Sequence, residues 1–184
     1  MDKDSIWWTR KSWINAEKRL LNYAKLSERS LFWFSLWSLF ASILLLGKQQ
    51  PDFISKVFIC FSAFVFGLSL FTSVGRYTER STKFKNGYIK LQQLYLEISY
   101  NGVLNSNDVE KYKSILESCE NHDDIDFINA KVEAYLNTKD KTKLSIIANK
   151  MDFISYYINK VLKSMLNIIL FLLPIIITLI SYMS

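Results

Sequence analysis

Residues 164–184 read SMLNIILFLLPIIITLISYMS, twenty-one residues without a charge. At about 1.5 Å of rise per residue such a helix is roughly 31 Å long, enough to cross a hydrocarbon core about 30 Å thick. Two further stretches share this character. Residues 30–47 (SLFWFSLWSLFASILLLG) and 57–74 (VFICFSAFVFGLSLFTSV) each hold eighteen uncharged residues, roughly 27 Å as helix. Backbone groups find no water in a bilayer core, so spans built from these stretches must be helical. Buried core helices of a soluble protein can also be apolar all round, but the rest of the chain is too short to wrap three of them. The sequence therefore predicts an all-α integral membrane protein.

The total of 184 residues with 50% hydrophobic content would suit one ordinary soluble domain. The distribution speaks against that, because charge is dense everywhere outside the three stretches. Residues 1–29 are charged and tryptophan-rich, and they do not read as a cleavable signal. Cys60 falls inside the second stretch and Cys119 in the polar region, so the two cysteines are expected to be unpaired.

Lys and Arg near the ends of spans set orientation. Fourteen flank the inner ends: Arg10, Lys11, Lys18, Arg19, Lys25 and Arg29, then Arg76, Arg80, Lys83, Lys85 and Lys90, then Lys150, Lys160 and Lys163. Between the first two spans lie only Lys48 and Lys56. This predicts a cytoplasmic amino terminus and a cytoplasmic region 75–163. The turn around Gln49–Gln50–Pro51 and the carboxyl terminus are expected outside. Four regions follow: an amphipathic helix in 1–29, a transmembrane hairpin over 30–74, a helical domain over 75–163, and a third span over 164–184. The net charge of +6 fits contact with anionic lipid. Acidic residues interrupt the basic ones throughout, so direct nucleic-acid binding is not expected.

Apolar residues recur at helical spacing over 5–28, including Ile6, Trp13, Ala16 and Leu20. Trp7, Trp8 and Trp13 are candidate interfacial anchors, since indole suits the headgroup layer; the alternative is that they pack on the cytoplasmic domain. Trp33 and Trp37 are candidate anchors at the inner end of the first span. Residues 76–100 are expected to continue the second span without a break, with a stripe of Tyr77, Phe84, Tyr88, Leu91, Tyr95 and Ile98. Asn101–Gly102 marks a turn, and Asn107 or Asp108 caps the next helix. The run Asn121–His122–Asp123–Asp124 caps another, and a last helix runs from Thr142 into the third span. The two long helices are expected to pack against each other.

No catalytic pattern is present. The five glycines form no phosphate-cradling loop. His122 with Asp123, Asp124 and Asp126 reads better as a helix cap with a solvated acidic face than as a metal site, because carboxylates stabilise helix starts; no metal or cofactor is expected. The spans hold no charged group, which speaks against a proton relay or an ion-coupled transporter, and against an intramembrane enzyme. They hold serines at helical spacing instead: Ser35, Ser38 and Ser42 on one face of the first, Ser62, Ser69 and Ser73 on one face of the second. Such residues either pack helices closely or line a pore in an oligomer. Pro174 is a candidate kink, because it removes one helical hydrogen bond.

Several segments together resemble the SLATT family, SMODS- and SLOG-associating two-transmembrane effectors of bacterial conflict systems. They are Trp13, Ala16 and Arg19 in WINAEKR, the close pair of spans, the helix RYTERSTKFKNGYIKLQQLYLEIS after them, and KYKSILESCENHDDIDF with Glu120–Asn121–His122 and Asp126. The third span goes beyond the minimal two-span core. The resemblance implies a membrane effector of antiviral defence in the bacterial inner membrane. It would be triggered by a companion enzyme, such as a nucleotide cyclase or a reverse transcriptase, or by that enzyme's product. It would act as a homo-oligomer that damages the membrane and halts the infected cell. The competing expectation is a membrane-anchored sensor or scaffold that recruits a soluble partner through its cytoplasmic helices.

Overall fold

The structure, a computed structural model, describes residues 2–44 and 52–183. The expected turn at Gln49–Gln50–Pro51 lies outside the described residues. Among the described residues there are six α-helices: α1 (Lys3–Leu44), α2 (Asp52–Gly75), α3 (Tyr77–Asn101), α4 (Ser106–Glu117), α5 (Asp124–Asn137) and α6 (Lys150–Met183). A short 3-10 turn at Lys141–Lys143 precedes the last. No strand occurs among the described residues, so the all-α expectation stands.

The helices divide into two compact units. One comprises residues 1–22 and 77–160, the other residues 23–76 and 161–184. The long helices α1 and α6 contribute to both. The boundary at residues 22 and 23 falls within α1, inside the amphipathic helix expected over 1–29.

In the first unit the amino-terminal part of α1 is central. Ile6, Trp13, Ala16 and Leu20 pack on Phe84, Leu91, Leu94 and Ile98 of α3, with Tyr112, Ile115 and Cys119 closing the cluster from α4 and its end. The stripe read along α3 is thus a core face, and its partner is α1, where the long helix leading into the third span was expected. The α6 start pairs with α5 instead: Lys131 Nζ donates to Asp152 Oδ1 at 2.7 Å, and the rings of Tyr135 and Phe153 meet edge to face. A β-carbon at Gly87 would fall 2.3 Å from a Trp13 ring carbon and 2.8 Å from Cys119 Sγ. Only a glycine lets the Trp13 indole lie this close to the α3 backbone.

Three helices of this unit start with the same device. Asn105 Oδ1 accepts from the Asp108 N–H while Asp108 Oδ2 accepts from the Asn105 N–H. Asn149 and Asp152 exchange the same pair of bonds, and Asp126 Oδ2 accepts from the Asp123 N–H. Each exchange satisfies backbone donors that a helix start leaves free. The cap of α4 is therefore Asn105, two residues before the expected Asn107. The last helix begins at Lys150 rather than at Thr142, since Asn149 and Asp152 set its start.

In the second unit, Phe34, Trp37 and Ala41 of α1 pack on Phe61 of α2, joined by Phe58, Val65 and Leu68 and by Leu170, Leu173 and Ile177 of α6. The outer faces stay apolar and open. The stretches Ser55–Asn101 and Lys150–Leu179 contain windows long and apolar enough to cross a membrane, with only 6% of each window buried. A soluble core helix would be mostly covered, so this exposure makes the chain a helical membrane protein. The first sequence stretch, 30–47, is described only as far as Leu44.

One expectation of continuity fails. Arg76, with φ +43°, interrupts the path from α2 to α3. A non-glycine residue in the left-handed region costs about 1–2 kcal/mol, so the second apolar stretch is separated from the helix that follows it. The turn at Asn101–Gly102 is as expected: Gly102 has φ +72° and donates its N–H to the Ile98 carbonyl, a left-handed C-cap.

Candidate functional site: a buried ion pair and a tryptophan clamp

On α1 a second face runs through Trp8, Ser12, Asn15 and Arg19, in steps of four, three and four residues, and meets α5. All four are buried. Arg19 Nε and Nη2 donate to the two carboxylate oxygens of Asp126 at 2.9 Å each, and Nη1 reaches Asp123 Oδ2 at 2.8 Å. Asn15 Nδ2 donates to the Asp126 carbonyl. Asp126 is fully buried while Asp123 is well exposed. The acidic run is thus solvated at Asp123 but not at Asp126, a correction to the face expected from sequence. Burying a carboxylate is tolerable only when a charged, geometrically matched donor satisfies it, and a guanidinium fork does so. These carboxylates are committed to Arg19, and no cluster suited to a metal ion occurs among the described residues.

His122 sits beside this network. Burial pushes its imidazole below the ordinary histidine value, while Asp126, Asp124 and Asp123 pull the other way. An open groove of about 510 Å³ runs past it, with Asp2, Asp4, Trp8, His122 and Phe127 among its walls. It carries carboxylates and no lysine or arginine among the described lining residues, so its field disfavours a phosphate group.

Trp8 and Trp13 are core residues of the first unit, Trp13 only 2% exposed. Trp8 donates its indole N–H to Ser145 Oγ at 2.9 Å and packs with Trp7 on Phe127, Ala130 and Ala134. Of the two placements the sequence left open, Trp8 and Trp13 adopt packing, because α3 and α5 cover α1 on two sides here.

In the second unit Trp33 and Trp37, one turn apart on α1, grip α6 around Pro174. The Trp33 indole N–H donates to the Phe171 carbonyl at 3.1 Å. Trp37 donates to Thr178 Oγ1, whose hydroxyl in turn donates to the Pro174 carbonyl at 2.8 Å. Proline removes the N–H that would bond the Leu170 carbonyl, and the two indole donors fall on groups beside it, the Phe171 carbonyl and Thr178 Oγ1. Trp37 is buried, stacked on Phe58 at 6.0 Å and edge-on to Phe61 at 4.8 Å. It is therefore a packing residue and not the interfacial anchor expected. Trp33 is half-buried against Phe171. Pro174 is buried inside a helix that continues through it.

The serines lie elsewhere. Ser35, Ser42, Ser62, Ser69 and Ser73 are exposed and Ser38 is half-buried; Ser42 Oγ donates to its own helix at the Ser38 carbonyl. The buried contacts within this unit are made by aromatic and aliphatic side chains, so the serine faces are not what holds it together. Among the residues that matter, the one whose role sequence reasoning missed is Arg19. The signal was available: a single cation on a face otherwise made of Trp8, Ser12 and Asn15.

The class is thus defined: an all-helical membrane protein whose polar unit is closed around a buried ion pair and whose apolar unit is closed by aromatic and aliphatic packing. The chain belongs to the SMODS and SLOG-associating 2TM effector domain family 5, whose model matches residues 2–180. The family is an effector domain associated with defence systems. Comparison with curated proteins gives no match, and neither does comparison with solved structures.

Proposed function

We propose that this chain is the membrane-permeabilising effector of an antiphage system, a homo-oligomer that opens the bacterial inner membrane when a companion enzyme or its product triggers it. The observation that carries the reading is the outward position of the serines. Five of the six are exposed on the unit that holds the apolar helices, while the packing within that unit is made by other, apolar side chains. A hydroxyl facing lipid gains nothing; one facing another copy or a water-filled path gains a partner. Three spans, with residues 30–47 as the first, agree with the packing of Phe34, Trp37 and Ala41 against α2 and α6. The lysine and arginine distribution supports a cytoplasmic amino terminus and a cytoplasmic 77–160 region. Trp7, on α1 and half-buried, is the one amino-terminal tryptophan still available as an interfacial anchor.

The test is membrane-potential recording and dye exclusion in cells expressing the triggered protein. Gradients should collapse, and Ser35→Leu with Ser38→Leu and Ser42→Leu should abolish leakage while assembly persists. Intact gradients in the triggered wild type sink the proposal. Loss of assembly in the variant would instead assign the serines to helix packing.

A sensor or scaffold role has its own support in the exposed apolar residues of the first unit, including Tyr100, Val103 and Leu136. A detergent pull-down that recovers a stoichiometric soluble partner, with no leakage in its presence, would favour that role.

A further inference from the structure

The outer face of α6 carries a pattern that neither unit uses. Met151, Ile154 and Ile158, then Val161, Met165 and Ile168, alternate in steps of three and four residues, and the alternation continues to Leu179. Each of these six side chains is at least half exposed. A repeat of 3.5 residues sustained over four heptads is the signature of a coiled-coil seam. The contacts within the chain lie on the other faces of the helix, reaching as near the stripe as Phe171 and Thr178. Asp152 and Phe153 meet α5, Lys163 lies over the Tyr23 ring, and Leu170, Leu173 and Ile177 join the aromatic cluster. Lys163, Leu170 and Ile177 are seven residues apart and sit opposite the seam in the heptad.

We propose that this face is a self-association seam, on which α6 of a second copy of the chain lies parallel. The inference rests on the homo-oligomer in the function proposed above and names the surface that forms it. Two features identify the occupant. Lipid can cover the uncharged part from Ser164 onward, but not Met151, Ile154 and Ile158. These share their helix turns with the Asp152–Lys131 ion pair and with Lys160, where hydrocarbon is excluded by charge. A soluble partner has the reverse limit, because it cannot follow the stripe into the apolar part. A helix that passes from water into the membrane with the same polarity covers both, and a second α6 is such a helix. The flanking heptad positions also permit like to meet like. Ser155, Leu162, Ile169 and Ile176 on one side, and Tyr157, Ser164, Phe171 and Thr178 on the other, carry no charge, so identical chains meet no repulsion there.

The test is disulfide trapping of the full chain in membranes. Single cysteines replace Ile154, Ile158, Val161 or Met165 on the seam, or Asn159, Lys160 or Lys163 off it, in a background with Cys60→Ser and Cys119→Ala. The proposal expects dimer yields several-fold higher at the four seam positions. Equal yields, or a maximum at Lys160 or Lys163, overturn it. A second measurement avoids the cysteine-free background. The unmodified chain in detergent should scatter light as a dimer or larger, Ile158→Glu should reduce it to a monomer, and Lys160→Glu should leave it unchanged. A monomeric wild type overturns the proposal as well. Leakage is scored separately: seam dimers with intact gradients refute the permeabilising role and leave the seam standing, whereas leakage without seam dimers does the reverse.

Discussion

Arg19 on α1 and Asp126 on α5 form a two-pronged ion pair, 107 residues apart in sequence, with both side chains withdrawn from water. The helix that carries Arg19 runs on to Leu44, into the first apolar stretch. The pair therefore ties the start of α5 to a helix that also belongs to the apolar unit.

Removing one partner of this pair strands a buried charge. Arg19→Ala or Asp126→Ala is expected to cost about 3–5 kcal/mol. Asp123→Ala, whose carboxylate is exposed, should cost no more than about 1 kcal/mol. Chemical unfolding of the detergent-solubilised chain measures both. A similar loss for Asp123→Ala and Asp126→Ala would contradict the assignment of Asp126 as the buried partner.

Gly87→Ala places a β-carbon inside the contact radius of the Trp13 ring and Cys119 Sγ. Overpacking of this kind costs about 1–3 kcal/mol. Trimming the ring with Trp13→Leu should make the second substitution far less costly than it is alone. Additive losses in that double-mutant cycle would show that Trp13 is not what Gly87 accommodates.

Trp33→Phe and Trp37→Phe keep aromatic rings but remove the indole donors around Pro174. Each is expected to cost about 0.5–1.5 kcal/mol. Trp37→Ala, which also vacates the space between Phe58 and Phe61, should cost about 3–5 kcal/mol. Thermal unfolding in one detergent ranks the three. Equal effects of Trp37→Phe and Trp37→Ala would mean that the hydrogen bond, not the packing, dominates.

Two groups predict acid sensitivity. His122 is held below its ordinary value of 6.5 chiefly by burial. Below about pH 6.5 the unfolded chain binds the proton more readily than the folded one, so stability falls as pH drops through that region. Asp152 lies below its ordinary 3.8: burial alone would raise it, but the bond from Lys131 and the Asn149 N–H outweigh that. Its contribution is complete above that value and is lost as pH falls further. His122→Gln should remove the first loss and keep the second. Unfolding midpoints from pH 7.5 to pH 3 check this, and an unchanged profile in the variant would count against His122.

Much of the architecture was legible locally. The second and third uncharged stretches, the stripe from Tyr77 to Ile98, and the Asn101–Gly102 turn depend on composition and spacing along one chain, and the structure agrees with each. The caps were legible in kind but not in position, because Asn105, Asn107 and Asp108 offer similar side chains and only the reciprocal bond selects Asn105. The break at Arg76 had no sequence mark beyond the preceding Gly75. Its cost is small enough for packing to override.

Sequence by itself determined that this is an all-α membrane protein of the effector family, since both hydrophobic length and family pattern are one-dimensional properties. Tertiary structure alone decided which faces are used. It made α1 the partner of α3, withdrew Trp8, Trp13 and Trp37 into packing, and joined Arg19 to Asp126. It also left five of the six serines and the apolar face of α6 from Met151 to Ile168 exposed. The physical reason is that a helix periodicity shows which residues share a face, whereas only the competition among all faces for burial shows which neighbour covers it.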